Sequence, residues 1–224
     1  MKKLTAQRDG ARVSEILPDE TLKSNILISG PTRSEKDTIA FDLLAESWAS
    51  ERPPFVITAM DTADQFRSRF NAFSPPNRRV EDLYVIDCTE SGQNEDATGT
   101  PTCTSATPAD LTGVGICLSK GYDEFGTTGG RVILLDNLST FLVYSDVDRI
   151  FRFITAINNR VTEFGDITVQ LLDTDAIDTM DKNRLTQLFS TVIEVREDEG
   201  KTLFRVQGGT ETTWAEYPSQ GETR

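Results

Sequence analysis

The stretch NILISGPTRSEKDTIAFDLLAESWA, residues 25–49, decides the fold. It opens on a short apolar run that reads as a buried strand. It turns at Gly30-Pro31, then places Ile39, Leu43, Leu44 and Trp48 at helical spacing. A phosphate-binding loop, G-x-x-x-x-G-K-[ST], sits at the same kind of junction between strand and helix. Gly30 and Lys36 keep its spacing, but Glu35 stands where the second glycine belongs and Asp37 where the hydroxyl belongs.

Those two departures have a physical cost. A phosphate loop wraps its ligand in backbone N–H groups at a helix N-terminus, and the glycine before the lysine lets the backbone come close. At about 6 Å and an effective dielectric near 20, each carboxylate–phosphate pair costs roughly 3 kcal/mol before screening. Two such pairs remove most of a micromolar affinity, worth about 8 kcal/mol. The candidate nucleotide contacts are Gly30, Ser34, Lys36 and Thr38, with Glu35 and Asp37 as the residues that disable the loop. The plain structural alternative is that Glu35 and Asp37 are first-turn acids favoured by the helix dipole. A loop collapsed around Glu35 or Arg33 favours the disabled reading. An open nest of N–H groups favours binding.

The rest of the chain repeats the strand–helix alternation. Strands are predicted at 55–59, 83–87, 131–137 and 166–173. Helices are predicted at 36–49, 61–73 (capped by Asp61 or Thr62), 109–125, 146–163 and 180–189. The helix over 146–163 has the clearest stripe: Val147, Ile150, Phe151, Ile154, Ile157 and Val161. Residues 191–208 read as a β-hairpin around EDEG. Residues 88–108 carry no period and read as a long polar surface loop. This order implies one α/β domain over 22–208 with a mostly parallel sheet flanked by helices, preceded by a lead-in over 1–21 and followed by a polar tail over 209–224.

Composition narrows the chemistry. The 224 residues carry a net charge of −13 and no histidine, which excludes serine–histidine and cysteine–histidine hydrolysis. The three cysteines form no CxxC pair. Cys88 and Cys117 read as core thiols and Cys103 as an exposed one, and a zinc site is not expected. The surplus of acid, with Arg favoured over Lys, matches a protein kept soluble in concentrated salt. It offers no basic stripe for nucleic acid. No apolar run is long enough to span a membrane, and no signal segment opens the chain, so a cytoplasmic protein is expected.

Asp136 ends the apolar run VILLD, where an aspartate contacts magnesium in phosphate-loop proteins. A carboxylate that activates water is expected just after the second strand. The residues there are Asp61 and Asp64, with no glutamate among them.

The segments ADLTGVGICLS, DNLSTFLVYSDVDRIFRF and TQLFSTVIEVRE, with FRVQG after them, resemble the KaiC-like, RecA-superfamily ATPase-like proteins of salt-loving archaea. The middle segment is the most specific. Asp136 to Tyr144, followed by Phe151-Arg152-Phe153, is similar to the family's D-S-L-S-x-L-L-x-Y run with F-R-F after it. The resemblance covers residues 22–208, falls nearest an HTR-like branch with degenerate loops, and implies a RecA-like P-loop fold with a C-terminal β-hairpin. It also implies that Gly30 and Lys36 match the loop of active relatives and Asp136 their magnesium acid.

Three functions are consistent with these residues. The favoured one is a non-hydrolysing pseudo-ATPase, a regulatory or scaffolding module that binds a protein partner or itself in a cytoplasmic signalling or motility-related assembly, without a cofactor. The second is an ATP-binding switch or slow magnesium-dependent ATPase. The third is a recombinase paralogue acting on DNA, which the acidic surface opposes.

Overall fold

The computed structural model describes residues 25–89, 100–105, 107–127, 129–207 and 213–217. The predicted lead-in over 1–21 lies outside them, as does most of the polar loop.

The chain alternates strands and helices as the apolar pattern requires. In order these are β1 (Ile26–Gly30), α1 (Lys36–Ala49), β2 (Phe55–Thr58), α2 (Ala63–Phe70), β3 (Tyr84–Asp87), β4 (Thr102–Thr104) and α3 (Leu111–Phe125). Next come β5 (Val132–Asp136), α4 (Leu138–Tyr144), α5 (Val147–Glu163), β6 (Ile167–Asp173) and α6 (Thr179–Thr186). The chain ends in β7 (Thr191–Asp198), β8 (Lys201–Gln207) and β9 (Ala215–Glu216). One sheet holds all nine strands in the order β4-β3-β2-β5-β6-β1-β7-β8-β9. β1 to β7 run parallel, and β8 and β9 return antiparallel at one edge.

Buried parallel strands carry apolar residues on both faces, and here the two faces serve two cores. Ile26, Ile28, Val56, Val85 and Leu134 point toward α1 and α2, where Phe41, Trp48, Phe66 and Phe70 fill the space. Leu27, Ile57, Ile86, Ile133 and Leu135 point the other way, toward α3, α4 and α5. The stripe read on α5 is largely the buried face: Ile150, Phe153, Ile154, Ile157 and Val161.

Four local readings change. Residues 88–108 are not uniformly irregular, because Thr102–Thr104 pairs with β3 as a short edge strand. Cys117 is not a free core thiol: it forms a disulfide with Cys103, which ties that edge strand to α3. Cys103 itself is half-buried, and Cys88 is the buried free thiol. Within the segment assigned to the tail, Ala215–Glu216 adds a strand to β8, and the Tyr217 hydroxyl donates to Asp42 at 2.6 Å. Finally, the run after Asp136 begins a short helix, α4. It is capped by Asn137, whose Oδ1 accepts the Thr140 N–H at 3.0 Å. Among the described residues no helix is long and apolar enough to cross a membrane.

Candidate functional site

In an open parallel sheet, ligand sites gather beyond the carboxyl ends of the strands, where successive crossovers leave opposite faces. Here α1 leaves β1 toward one face and α4–α5 leave β5 toward the other. The register sets Gly30 of β1 beside Asp173 of β6, and Thr58 of β2 beside Asp136 of β5. Gly30, Lys36, Asp61, Asp136 and Asp173 therefore lie along one edge.

The loop between β1 and α1 is closed on itself. Ser34 N–H donates to the Pro31 carbonyl at 3.1 Å, and Arg33 takes a positive φ of 69°. Thr32 donates both its N–H and its hydroxyl to Asp175, at 2.9 and 2.8 Å. These bonds hold the exposed Asp175 carboxyl below its usual range. The Thr38 hydroxyl donates to Glu35 at 2.7 Å, so these two residues satisfy one another. The Ser34 hydroxyl is buried without a hydrogen-bond partner.

Lys36 is what fills the loop, and not Glu35 or Arg33, which are exposed. Its ammonium donates to the Pro31 carbonyl at 3.1 Å and pairs with Asp173 at 2.7 Å. Both side chains are almost out of solvent, at 4% and 12% exposure, so removing either one would strand the other's charge. Asp173 is held from its other side by Asn137 Nδ2, at 2.9 Å, and its own N–H donates to the Ser139 hydroxyl at 2.8 Å.

A second cluster lies beside it. The Arg69 guanidinium, from the last turn of α2, bonds Asp136 directly, Asp61 at 3.0 Å and Asp37 at 3.1 Å. It rests over the rings of Phe41 and Phe66, 5.0 and 5.5 Å from their centroids. Burial alone would lower the Arg69 pKa, but the three carboxylates outweigh it and raise it. Burial pushes Asp136 up to about 6, against the pull of Arg69 and with the repulsion of Asp37 and Asp61. Burial also raises Asp37, in part countered by Arg69 and Lys36.

The two acids named after the second strand separate. Asp61 joins the Arg69 cluster, whereas the exposed Asp64 pairs with the buried Arg67 at 3.4 Å. Sequence reasoning missed Arg69 and Asp173. Asp173 had a signal, since it ends an apolar strand just as Asp136 does.

In this arrangement the charges that would hold a phosphate and its divalent cation are committed to one another. Lys36 neutralises Asp173, and Arg69 stands among the three carboxylates. Gly30 has a reason of its own to be glycine: a Cβ there would lie 2.6 Å from the Val195 carbonyl oxygen of β7 and 2.7 Å from the Ser34 hydroxyl.

The architecture is that of a RecA-like fold. A KaiC-like protein from the hyperthermophilic archaeon Pyrococcus horikoshii superposes with a TM-score of 0.62 over 92% of each chain, at 13% identity. That likeness is one of fold alone. No curated protein matches the chain. The model of a family of unknown function, DUF7504, matches residues 23–195 and takes in both the closed loop and the Arg69 cluster. The chain belongs to that family.

Proposed function

We propose that the protein is a non-hydrolysing RecA-fold module. It works by association, with a protein partner or with itself, as a regulatory or scaffolding component of a cytoplasmic signalling or motility-related assembly. The observation that carries this reading is the internal saturation of the site. Lys36 is spent on Asp173 and Pro31, and the Arg69 guanidinium holds Asp37, Asp61 and Asp136 where a magnesium ion would otherwise be needed to offset them. Phosphoryl transfer depends on positioning and electrostatics, and here both cations are turned inward. Glu35 and Asp37 stand where a phosphate loop carries a glycine and a hydroxyl residue. The net charge of −13 fits a protein that works in concentrated salt and opposes DNA as a partner.

A second reading, an ATP-dependent switch, has one observation in its favour. The Arg69 side chain is 37% exposed, so packing does not prevent its release from the carboxylates. On that reading nucleotide would have to exchange Lys36 from Asp173 to a phosphate.

Calorimetry and a steady-state phosphate-release assay in molar KCl, with ATP and GTP plus magnesium, separate the two. The pseudoenzyme gives no phosphate release above background, and Lys36→Ala leaves that background as it is. Steady hydrolysis that disappears in Lys36→Ala overturns it. A saturable binding heat without turnover favours the switch.

A further inference from the structure

Thr102–Thr104, β4, closes one end of the sheet and pairs only with β3, where Val85, Ile86 and Asp87 stand in register with Thr102, Cys103 and Thr104. The Val85 N–H donates to the Pro101 carbonyl at 3.1 Å, and the Ser105 N–H donates to the Asp87 carbonyl at 2.8 Å. So short a ladder holds weakly by itself. Fixing the backbone of each residue costs about as much as its net hydrogen bonding returns.

Two side-chain latches make up the difference, one on each face. Toward α2, the buried Arg67 donates through Nη2 to the Pro101 carbonyl at 3.2 Å, the Thr102 hydroxyl at 2.9 Å and the Leu83 carbonyl at 3.0 Å. Toward α3, Cys103 is bonded to Cys117. The helix itself does not depend on that bond. Val114, Leu118 and Tyr122 of α3 are buried in the core, and the Tyr84 hydroxyl of β3 donates to the Cys117 carbonyl at 2.7 Å. Cutting the disulfide therefore loosens β4 and leaves α3 seated.

The two sulfurs differ in access. Cys103 is half-buried at the rim of the sheet, whereas Cys117 is only 3% exposed, so a thiol arriving from solvent meets Cys103 first. Cys88 belongs to the same core face, just beyond Ile86 on β3. Burial, with help from Asp87 and Asp110, pushes its thiol up. It stays protonated and does not compete for the disulfide. The chain thus holds one exchangeable pair. Disulfides in a reducing cytoplasm are mostly transient and redox-sensing.

We propose that Cys103–Cys117 is a redox latch, which a dithiol reductant opens so that β4 leaves β3 while the rest of the fold stands. A thiolate of the reductant attacks Cys103 Sγ. The S–S bond breaks, and Cys117 leaves as a thiolate and takes up a proton. The reductant's second thiolate then displaces Cys103 from the mixed disulfide, and Cys103 is protonated in turn. The reductant leaves as its own disulfide, having given two electrons to the cysteine pair. In the open state the Val85 N–H and the Asp87 carbonyl lose their partners, and the edge of the sheet moves from β4 to β3. The use of the latch in the cell rests on the cytoplasmic placement proposed above. The exchange itself does not, and it is independent of whether the Lys36 loop takes a nucleotide.

The test is hydrogen exchange, read by nitrogen-15 NMR on the whole chain in molar KCl, across graded ratios of reduced to oxidised dithiothreitol. Alkylation and mass analysis count the free thiols at each ratio. The Cys88 N–H is the internal control, because it bonds the Thr58 carbonyl on the inner side of β3. As Cys103 and Cys117 become free, the Val85 and Ser105 amides should exchange at least about tenfold faster, while Cys88 keeps its rate, as a local opening requires. Reoxidation should restore their protection. The Cys103→Ser/Cys117→Ser variant should show the fast exchange at every ratio. Three results overturn the proposal. One is unchanged protection at Val85 and Ser105 once both thiols are free. Another is loss of protection at Cys88 together with them, which makes the bond a support of the whole fold. The third is a disulfide that a large excess of reduced dithiothreitol leaves intact.

Discussion

Arg69 of α2 and Asp136 at the end of β5 are joined across 67 positions of sequence, and the same guanidinium holds Asp61 and Asp37. Removing it leaves three carboxylates facing one another with no cation. Arg69→Met is expected to destabilise the fold at pH 7.5 by about 1–3 kcal/mol, less than the cost of breaking a fully buried pair because solvent reaches Arg69, Asp37 and Asp61. The loss should be smaller at pH 5, where Asp136, titrating near 6, takes up a proton. Urea unfolding at the two pH values checks this; an equal loss at both would refute the three-carboxylate account.

Lys36 is predicted to be a structural residue. A lysine kept for a phosphate could be removed with little change in stability, within about 0.5 kcal/mol for a side chain outside the packing. Here Lys36→Met would strand Asp173, and about 3 kcal/mol should be lost. Because Lys36 and Asp173 touch, Lys36→Met with Asp173→Asn should cost less than the two single changes added, by about 1–3 kcal/mol. Strict additivity in a denaturation cycle would show that the pair does not couple.

The raised Asp136 gives a pH dependence of definite sign. Its folded pKa of about 6 lies above the ordinary carboxylate value, so between about pH 4 and 6 the folded state holds a proton that the unfolded state has lost. Stability contributed by this group therefore falls as pH rises through that window. Asp136→Asn removes the titration. Measured against the wild type, the variant should gain about 2 kcal/mol on going from pH 4 to pH 7. A difference that stays flat, or that moves toward the wild type, would mean that the Arg69 contact outweighs burial.

The fold was legible because parallel strands buried on both faces must be written as unbroken apolar runs, as ILIS and VILLD are. The edge strand Thr102–Thr104 was not, because two half-buried threonines around one cysteine carry no such run. Its pairing and the Cys103–Cys117 bond depend on where α3 packs, which spacing alone cannot give. At the site, the gathering of Gly30, Lys36 and Asp136 at one edge followed from strand–loop–helix order. Arg69 did not, since its reach to β5 depends on how Phe41, Phe66 and Phe70 set α2 against α1. Charge balance offered a hint: with Asp37, Asp61 and Asp136 converging, some cation was required, and it need not have been a metal.

The disulfide should stabilise the chain measurably. It closes a loop of 14 residues between β4 and α3. A loop of that size constrains the unfolded chain by about 3 kcal/mol. Cys103→Ser/Cys117→Ser should lose about that much in urea unfolding, and hydrogen exchange should rise first at Thr102–Thr104 and along β3, its partner. The wild type treated with a phosphine reductant should match the variant. If reductant leaves the wild type unchanged while mass analysis shows free thiols, the bond contributes nothing to stability.

Gly30 supplies the last prediction, because two readings of it differ in outcome. As a phosphate-loop glycine, its replacement by alanine would alter ligand affinity and leave the fold alone. The close approach of β7 says otherwise: the new methyl would meet the Val195 carbonyl oxygen at 2.6 Å, and that atom belongs to a strand paired with β1. A backbone oxygen in a sheet cannot turn aside as a side chain can, so the strands must separate. Gly30→Ala should cost about 1–3 kcal/mol, as overpacking does. Its largest amide shifts should fall on Val195 and its neighbours in β7, and not on α1. Unchanged stability, or shifts confined to residues 31–36, would return the glycine to the loop.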